Sequence, residues 1–166
     1  LWLCLLGHWA LSLWLPVPGL GPPDLDDPAR TLQGWLDRAV FGRHIYRQGS
    51  YDPEGLLSTL PALGTCLFGM WAGPLAAATP EPGTRIRILL GRGLWLLAIG
   101  LAWSWLLPWN KELWTGSYAV FAAGAAMVGF AVAEVLFAHG RRAALARPLL
   151  GYGANALLVF VGSGVL

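Results

Sequence analysis

Charge is what this sequence has least of. Only 12% of its 166 residues are Asp, Glu, Lys or Arg, about half the share of an ordinary soluble domain. A single lysine stands against ten arginines. The formal net charge of +2 is too small for an electrostatic footprint on nucleic acid, so no nucleic-acid partner is expected. Cysteine is nearly absent: Cys4 and Cys66 fall in different apolar runs, and no disulfide is implied. His8 lies one turn from Cys4, but two ligands do not make a site, and no metal is expected. Also missing are the GxxxxGK[ST] phosphate loop, the GxGxxG fingerprint and the GxSxG elbow. So little charge beside 56% apolar residues excludes disorder. A chain this short also has too little interior to hide that apolar surface from water. A polytopic membrane protein remains.

Uncharged apolar runs then predict an all-α fold, a transmembrane helix bundle of about five spans forming a single membrane domain over 1–166. The first run, 1–15, is too short to cross roughly 30 Å of hydrocarbon. It also lacks the basic leader and the small-residue cleavage site of a signal peptide. The chain starts at Leu and both ends lie inside apolar runs, so the sequence predicts a fragment of a larger bundle with 1–15 a truncated span. The other spans are expected at 56–78, 88–107, 113–138 and 149–166.

Loop charges orient these spans. Arg85, Arg87 and Arg92 fall between the second and third runs, and Arg141, Arg142 and Arg147 between the fourth and fifth, whereas the 108–112 hairpin carries only Lys111. The arginine-rich loops are therefore expected in the cytoplasm, with 16–55 and 108–112 outside. Trp14, Trp103, Trp105, Trp109 and Trp114 fall near the expected outer ends, where amphipathic rings settle. The excess of arginine over lysine is that of a GC-rich genome and suggests a bacterial cytoplasmic membrane. Membrane lipid is the obvious partner, and a homo-oligomer is left open.

Local signals add detail. Gly69 and Gly73 form a GxxxG pair, and Ala122, Ala125, Ala126 and Gly129 offer a similar small face in the fourth span. Pro61 is expected to kink the second span. Within 16–55, Asp27-Pro28 starts a helix, and Leu32, Trp35, Leu36, Ala39 and Val40 give it an apolar stripe ending at Gly42. An amphipathic helix over 28–41 is thus expected to lie on the outer membrane surface or to cap the bundle.

Few residues remain that could carry chemistry. In Tyr51-Asp-Pro-Glu-Gly-Leu-Leu-Ser-Thr59, Asp52 reads as an N-cap, with Pro53 at the first helical position and Glu54 complementing the helix end. The same two carboxylates at an outer mouth would also hold a cationic or hydroxyl-rich ligand. Asn110 reads as a cap of the fourth span, and Lys111 as a solvated turn residue, unless both face that mouth. His44 is the one histidine placed where a base could meet an external substrate. His8 is expected to be buried and hydrogen-bonded, and His139 solvated at the inner boundary. Glu134 is expected to pair with Arg141 or Arg142 or to snorkel, with a buried functional carboxylate as the alternative, and Asn155 to be a buried amide in need of a partner.

Five segments occur in an order that resembles one known family. They are Leu15-Pro-Val-Pro-Gly19, His44-Ile-Tyr46, Tyr51 to Thr59, Asn110-Lys-Glu-Leu-Trp114 and Gly153-Ala-Asn-Ala-Leu157. Together they look like the C-terminal portion of the heparan-α-glucosaminide N-acetyltransferases and their bacterial relatives. The resemblance implies a membrane acyltransferase that takes acetyl-CoA from the cytoplasm and acetylates the amine of a glucosamine-type sugar on the far side. It places the family's catalytic histidine upstream of these segments, so neither His8 nor His44 inherits that role. It makes His44, Asp52, Glu54, Asn110, Lys111 and Asn155 candidates for contact with the amino sugar. It makes Arg85, Arg87, Arg92, Arg141 and Arg142 candidates for the phosphates of acetyl-CoA. A small-molecule transporter and a non-catalytic membrane scaffold are the competing readings. The centres of the third and fourth spans hold no ionisable residue, which counts against coupled transport.

Overall fold

A computed structural model describes residues 1–46, 49–137 and 143–165. They form seven α-helices: α1 (Trp2–Trp14), α2 (Leu32–Phe41), α3 (Thr59–Ala78), α4 (Pro82–Ser104), α5 (Gly116–Phe137), α6 (Ala143–Ala154) and α7 (Ala156–Val165). No β-strand occurs among the described residues. The helices α3, α4 and α5, with 20, 23 and 22 residues, are long and apolar enough to cross a membrane. At 1.5 Å per residue each reaches about 30–35 Å. This is an all-helical integral membrane architecture, as expected.

α4 and α5 form the central antiparallel pair, and they touch backbone to backbone. A Cβ at Gly124 would stand 2.7 Å from the Gly93 carbonyl oxygen and the Leu97 nitrogen, and one at Gly100 would stand 2.6 Å from the Phe121 nitrogen. Only glycine permits that approach. Leu96 of α4 meets Val120, Ala123 and Met127 of α5 there, and Phe68 of α3 and Leu5 of α1 complete the core. The small residues expected to mediate contacts are not the ones used. Gly69 and Gly73 have open space where a Cβ would stand. Ala125 and Gly129 are exposed, and Ala122 and Ala126 line a groove of about 400 Å³ with Gly69 and Gly73. A motif states that backbones can approach, but the register of α4 on α5 selects which glycines do.

Several boundaries shift for local reasons. α4 begins at Pro82 rather than near residue 88, because the Glu81 carboxylate caps it by accepting from Gly83 and Thr84 N–H. Arg85, Arg87 and Arg92 therefore lie on the helix and not in a loop. Arginine is a good helix former, and its charge limits entry into lipid, not helicity. The longer α4 sets Arg85 against Glu134 of α5, with Nε donating to both carboxylate oxygens at 2.7 and 2.9 Å. Arg85 is thus the partner of Glu134 among the described residues, whereas the sequence pointed to Arg141 or Arg142. Those two arginines lie outside the described residues, as does His139. Pro61 sits in the first turn of α3, where its missing N–H breaks no helical bond and gives no cause for the expected kink; Pro74 is the proline inside that helix.

The expected helix over 28–41 is two elements. Asp27 caps a single 3₁₀ turn, Pro28–Arg30, through Ala29 N–H, and Thr31 then caps α2 through Gly34 N–H. Its orientation is the reverse of a surface helix. Gln33, Gly34 and Asp37 are buried against the protein, whereas Ala39 and Val40 are exposed. α2 covers the bundle with its polar face.

Residues 149–166 were expected as one span, but the helix is interrupted at Asn155, which separates α6 from α7. The Asn155 amide donates to the Gly151 carbonyl at 2.9 Å, a local bond that competes with the helical ladder, and Gly151 and Gly153 weaken the turn further. Asn155 is exposed rather than buried.

The α4–α5 contact makes opposite demands on two glycines. Gly124→Ala is expected to destabilise the protein by about 1–3 kcal/mol by overpacking. Gly69→Ala, which meets open space, is expected to be neutral or stabilising by up to about 1 kcal/mol. Thermal unfolding in detergent, followed by far-UV circular dichroism, distinguishes the two, and equal midpoints would rule out this register.

Candidate functional site

The polar residues at one end of the bundle are organised by a buried carboxylate. Asp37 is fully buried on the inner face of α2, one turn beyond Gln33. Its Oδ2 accepts from Asp52 N–H at 3.1 Å and its Oδ1 from Leu56 N–H at 3.2 Å. Burial pushes its carboxyl above the usual carboxylate range, against the pull of those two bonds. The segment 52–56 therefore wraps around a carboxylate that belongs to another element.

Asp52 itself is not a helix cap, since α3 starts only at Thr59. Its Oδ1 accepts from Glu54 N–H at 3.0 Å and its Oδ2 from Tyr46 N–H at 3.1 Å, while Gly55 N–H donates to its carbonyl at 3.0 Å. It closes a tight turn and fastens that turn to the 3₁₀ segment Gly42–His44 and Tyr46. Around this turn His44, Tyr46, Asp52, Pro53 and Glu54 line an open concavity of about 530 Å³. Three sequence-predicted candidates, His44, Asp52 and Glu54, thus share one site. Two carboxylates and an imidazole around one opening can attract an ammonium group and accept from hydroxyls.

The hairpin between α4 and α5 lies at the same end. The Tyr51 hydroxyl donates to the Glu112 carboxylate, and Trp114 Nε1 donates to Thr65 Oγ1 of α3 at 3.1 Å. Asn110 is occupied within the hairpin: its Oδ1 accepts from Leu113 N–H at 3.0 Å, capping a turn and not α5. Lys111 is exposed. Neither lines the concavity, and nor does Asn155.

The opposite end holds the candidate phosphate ligands that are described. Arg85 is committed to Glu134 and, through Nη1, to the Thr79 carbonyl at 2.9 Å. Arg92 lies 4.4 Å above the Trp71 ring. Arg87 is exposed, with Nε bonded to Gly83 of its own helix, and Arg147 is exposed on α6. No cluster of three or more metal-ligating side chains occurs among the described residues.

Sequence reasoning missed two buried polar residues of α2, Gln33 and Asp37. His8 is buried and hydrogen-bonded as expected, but its partner is Gln33, at 3.3 Å. Gln33 and Asp37 share the face opposite the apolar stripe of α2, which in a sequence reads as a solvated face. Gly34 between them was the available signal, because a small residue there lets Pro28 and Tyr51 approach.

Two comparisons bear on the whole chain. It is 28% identical to heparan-alpha-glucosaminide N-acetyltransferase of Mus musculus over 193 aligned positions, covering 95% of this chain and 28% of the relative. It is 30% identical to the Homo sapiens protein of the same name over 207 aligned positions, covering 99% of this chain and 30% of that relative. The resemblance to heparan-alpha-glucosaminide N-acetyltransferase holds. It runs through every element described above, so the motif order is not a coincidence of short segments. The chain spans under a third of the length of the curated relatives it matches. No family model matches it.

The Tyr51–Glu112 bond ties the turn at 52–54 to the hairpin, and it has a spectroscopic signature. Glu112 beside it pushes the Tyr51 hydroxyl up from 10 to about 12. The folded state holds that proton more tightly than the unfolded chain. The tie therefore contributes stability that is complete below pH 10 and lost as the pH climbs toward 12. In a tyrosinate absorbance titration Glu112→Gln is expected to return this late phenol toward 10; an unchanged titration would disprove the bond.

Proposed function

We propose that this chain is the substrate-facing part of a membrane acyltransferase that moves an acetyl group from cytoplasmic acetyl-CoA to the amine of a glucosamine-type sugar across the membrane. The observation that carries the reading is the convergence of His44, Asp52 and Glu54 on one concavity, in a chain similar along its whole length to heparan-alpha-glucosaminide N-acetyltransferases. In this reading the end bearing 16–55 and 108–112 faces away from the cytoplasm, and the end bearing Arg85 and Arg87 faces it, in accord with the positive-inside rule.

An amino sugar arrives at neutral pH largely as an ammonium ion. Asp52 and Glu54 would attract that cation, and their spare lone pairs would accept from sugar hydroxyls. Acetyl transfer requires the neutral amine, so a base must remove a proton before the nitrogen attacks the thioester carbon. The C–N bond forms, the C–S bond breaks, and the thiol of coenzyme A leaves with a proton. The resemblance assigns the base to a histidine upstream of these segments, leaving His44 as a wall of the concavity. Of the described candidates for a cytoplasmic phosphate, Arg85 is bound to Glu134 and Arg92 lies over Trp71, which leaves the exposed Arg87, near the Glu81 carboxylate, with Arg141 and Arg142 as further candidates from the sequence.

The test uses the full-length protein in membranes with labelled acetyl-CoA and glucosamine. Label is expected in the sugar, and none appearing with folded protein would overturn the reaction. Asp52→Ala is expected to cut acetylation by about tenfold or more, the worth of a charge-assisted contact, and further than Arg141→Ala does. Equal losses that track protein abundance would leave Asp52 only its turn-closing role.

A further inference from the structure

The contacts around Asp37 extend to the concavity itself. Asp37 does not itself line the concavity, yet it holds the two ends of the segment that carries Asp52, Pro53 and Glu54. Its Oδ2 receives Asp52 N–H and its Oδ1 receives Leu56 N–H. Between those anchors lie Pro53, Glu54 and Gly55, and a Cβ at Gly55 would collide with the Asp37 carboxylate. The turn is thus seated directly on this side chain. Asp37 is in turn held by α2, which is pinned to α1 by His8 and Gln33 at 3.3 Å. Its neighbour Arg38 donates to the Ser50 carbonyl on the same loop. A buried carboxylate in an apolar bundle is costly unless fully engaged. Here the engagement fixes backbone, and that backbone bears Asp52 and Glu54.

We propose that Asp37 is a positioning residue for the amino-sugar site: by receiving the N–H groups of Asp52 and Leu56 it sets the height and spacing of the Asp52 and Glu54 carboxylates that meet the sugar. This rests on the function proposed above. The isosteric amide shows why the carboxylate is needed. It offers one acceptor oxygen for two N–H donors, and its NH₂ would face a backbone N–H. With one anchor lost the turn moves, and carboxylates displaced by an ångström lose most of their hold on a bound group. The effect belongs to binding of the acceptor sugar and not to the acetyl donor, whose candidate ligands lie at the other end of the bundle.

Two measurements on the full-length protein in lipid nanodiscs test this. The first is hydrogen–deuterium exchange, which needs no activity. In Asp37→Asn the amides of residues 52–56 are expected to exchange at least tenfold faster, while peptides of α4 and α5 keep the wild-type rate. Unchanged exchange at 52–56 overturns the positioning role whatever the enzyme does. The second is steady-state acetylation of glucosamine. Asp37→Asn is expected to raise KM for the sugar about tenfold, with kcat within twofold and KM for acetyl-CoA unchanged. Gly55→Ala leaves the carboxylate in place but displaces the turn, and it is expected to reproduce that split. A purely structural role would instead lower kcat in proportion to folded protein and leave both KM values alone, which also overturns the proposal. If wild-type protein fails to acetylate glucosamine while 52–56 exchange responds as stated, the proposed reaction falls and Asp37 as a loop anchor does not; its assignment to an amino-sugar site falls with the reaction.

Discussion

Everything else in this molecule hangs on the contact between α4 and α5, where Gly93, Gly100 and Gly124 bring two backbones together. In lipid no hydrophobic force drives helices together, so close packing of small residues and a few polar ties must hold the pair. The register chosen by those glycines places Arg85 against Glu134 at one end. At the other end it brings Trp109 against Phe121, with ring centroids 4.2 Å apart, and lets Trp109 Nε1 reach the Gly100 carbonyl. The pair is thus closed at both ends, and the intervening hairpin becomes a fixed platform. Thr115 and Ser117 stiffen that platform by donating to the carbonyls of Pro108 and Leu107.

The end that bears the concavity is built on that platform by elements that are not among the three long apolar helices. α2 turns Gln33 and Asp37 inward and leaves Val40 exposed. This inversion follows from what the helix covers. It sits over backbone N–H groups of the 52–56 segment, which need acceptors more than they need apolar cover. The polar face of α2 supplies those acceptors, while Leu32, Trp35 and Leu36 are only half-buried and Ala39 and Val40 are exposed. The 52–56 turn is consequently held from beneath by Asp37 and from the side through Tyr51 and Glu112. His44, Asp52 and Glu54 come together as a result of these constraints and not of nearness in sequence alone.

Much of this was legible in the residues. The four long apolar runs predict helices, three of which are long enough to span, but the charges do not mark every end, since Arg85, Arg87 and Arg92 lie within α4. The order of short motifs predicts the family resemblance, and the comparisons bear it out over nearly the whole chain. The burial of His8 followed from a lone imidazole in an apolar run. Other features were not legible because each depends on a partner distant in sequence. For Glu134 the sequence pointed to Arg141 or Arg142, and the extension of α4 back to Glu81 is what brings Arg85 to it. Gly69 and Gly73 carry the motif for helix contact, yet contact falls to Gly93 and Gly124, a matter of register that spacing alone does not encode. Asp37 resembled any other acid in a mixed-charge loop.

The sequence by itself determined the solvent, the element types and the family resemblance, since these follow from local composition, periodicity and motif order. The tertiary structure alone decided which glycines touch, which face of α2 turns inward and which carboxylate supports which. The physical reason is that a helix periodicity defines a stripe but not its partner. When the partner offers unpaired backbone N–H groups, the polar stripe and not the apolar one is drawn in.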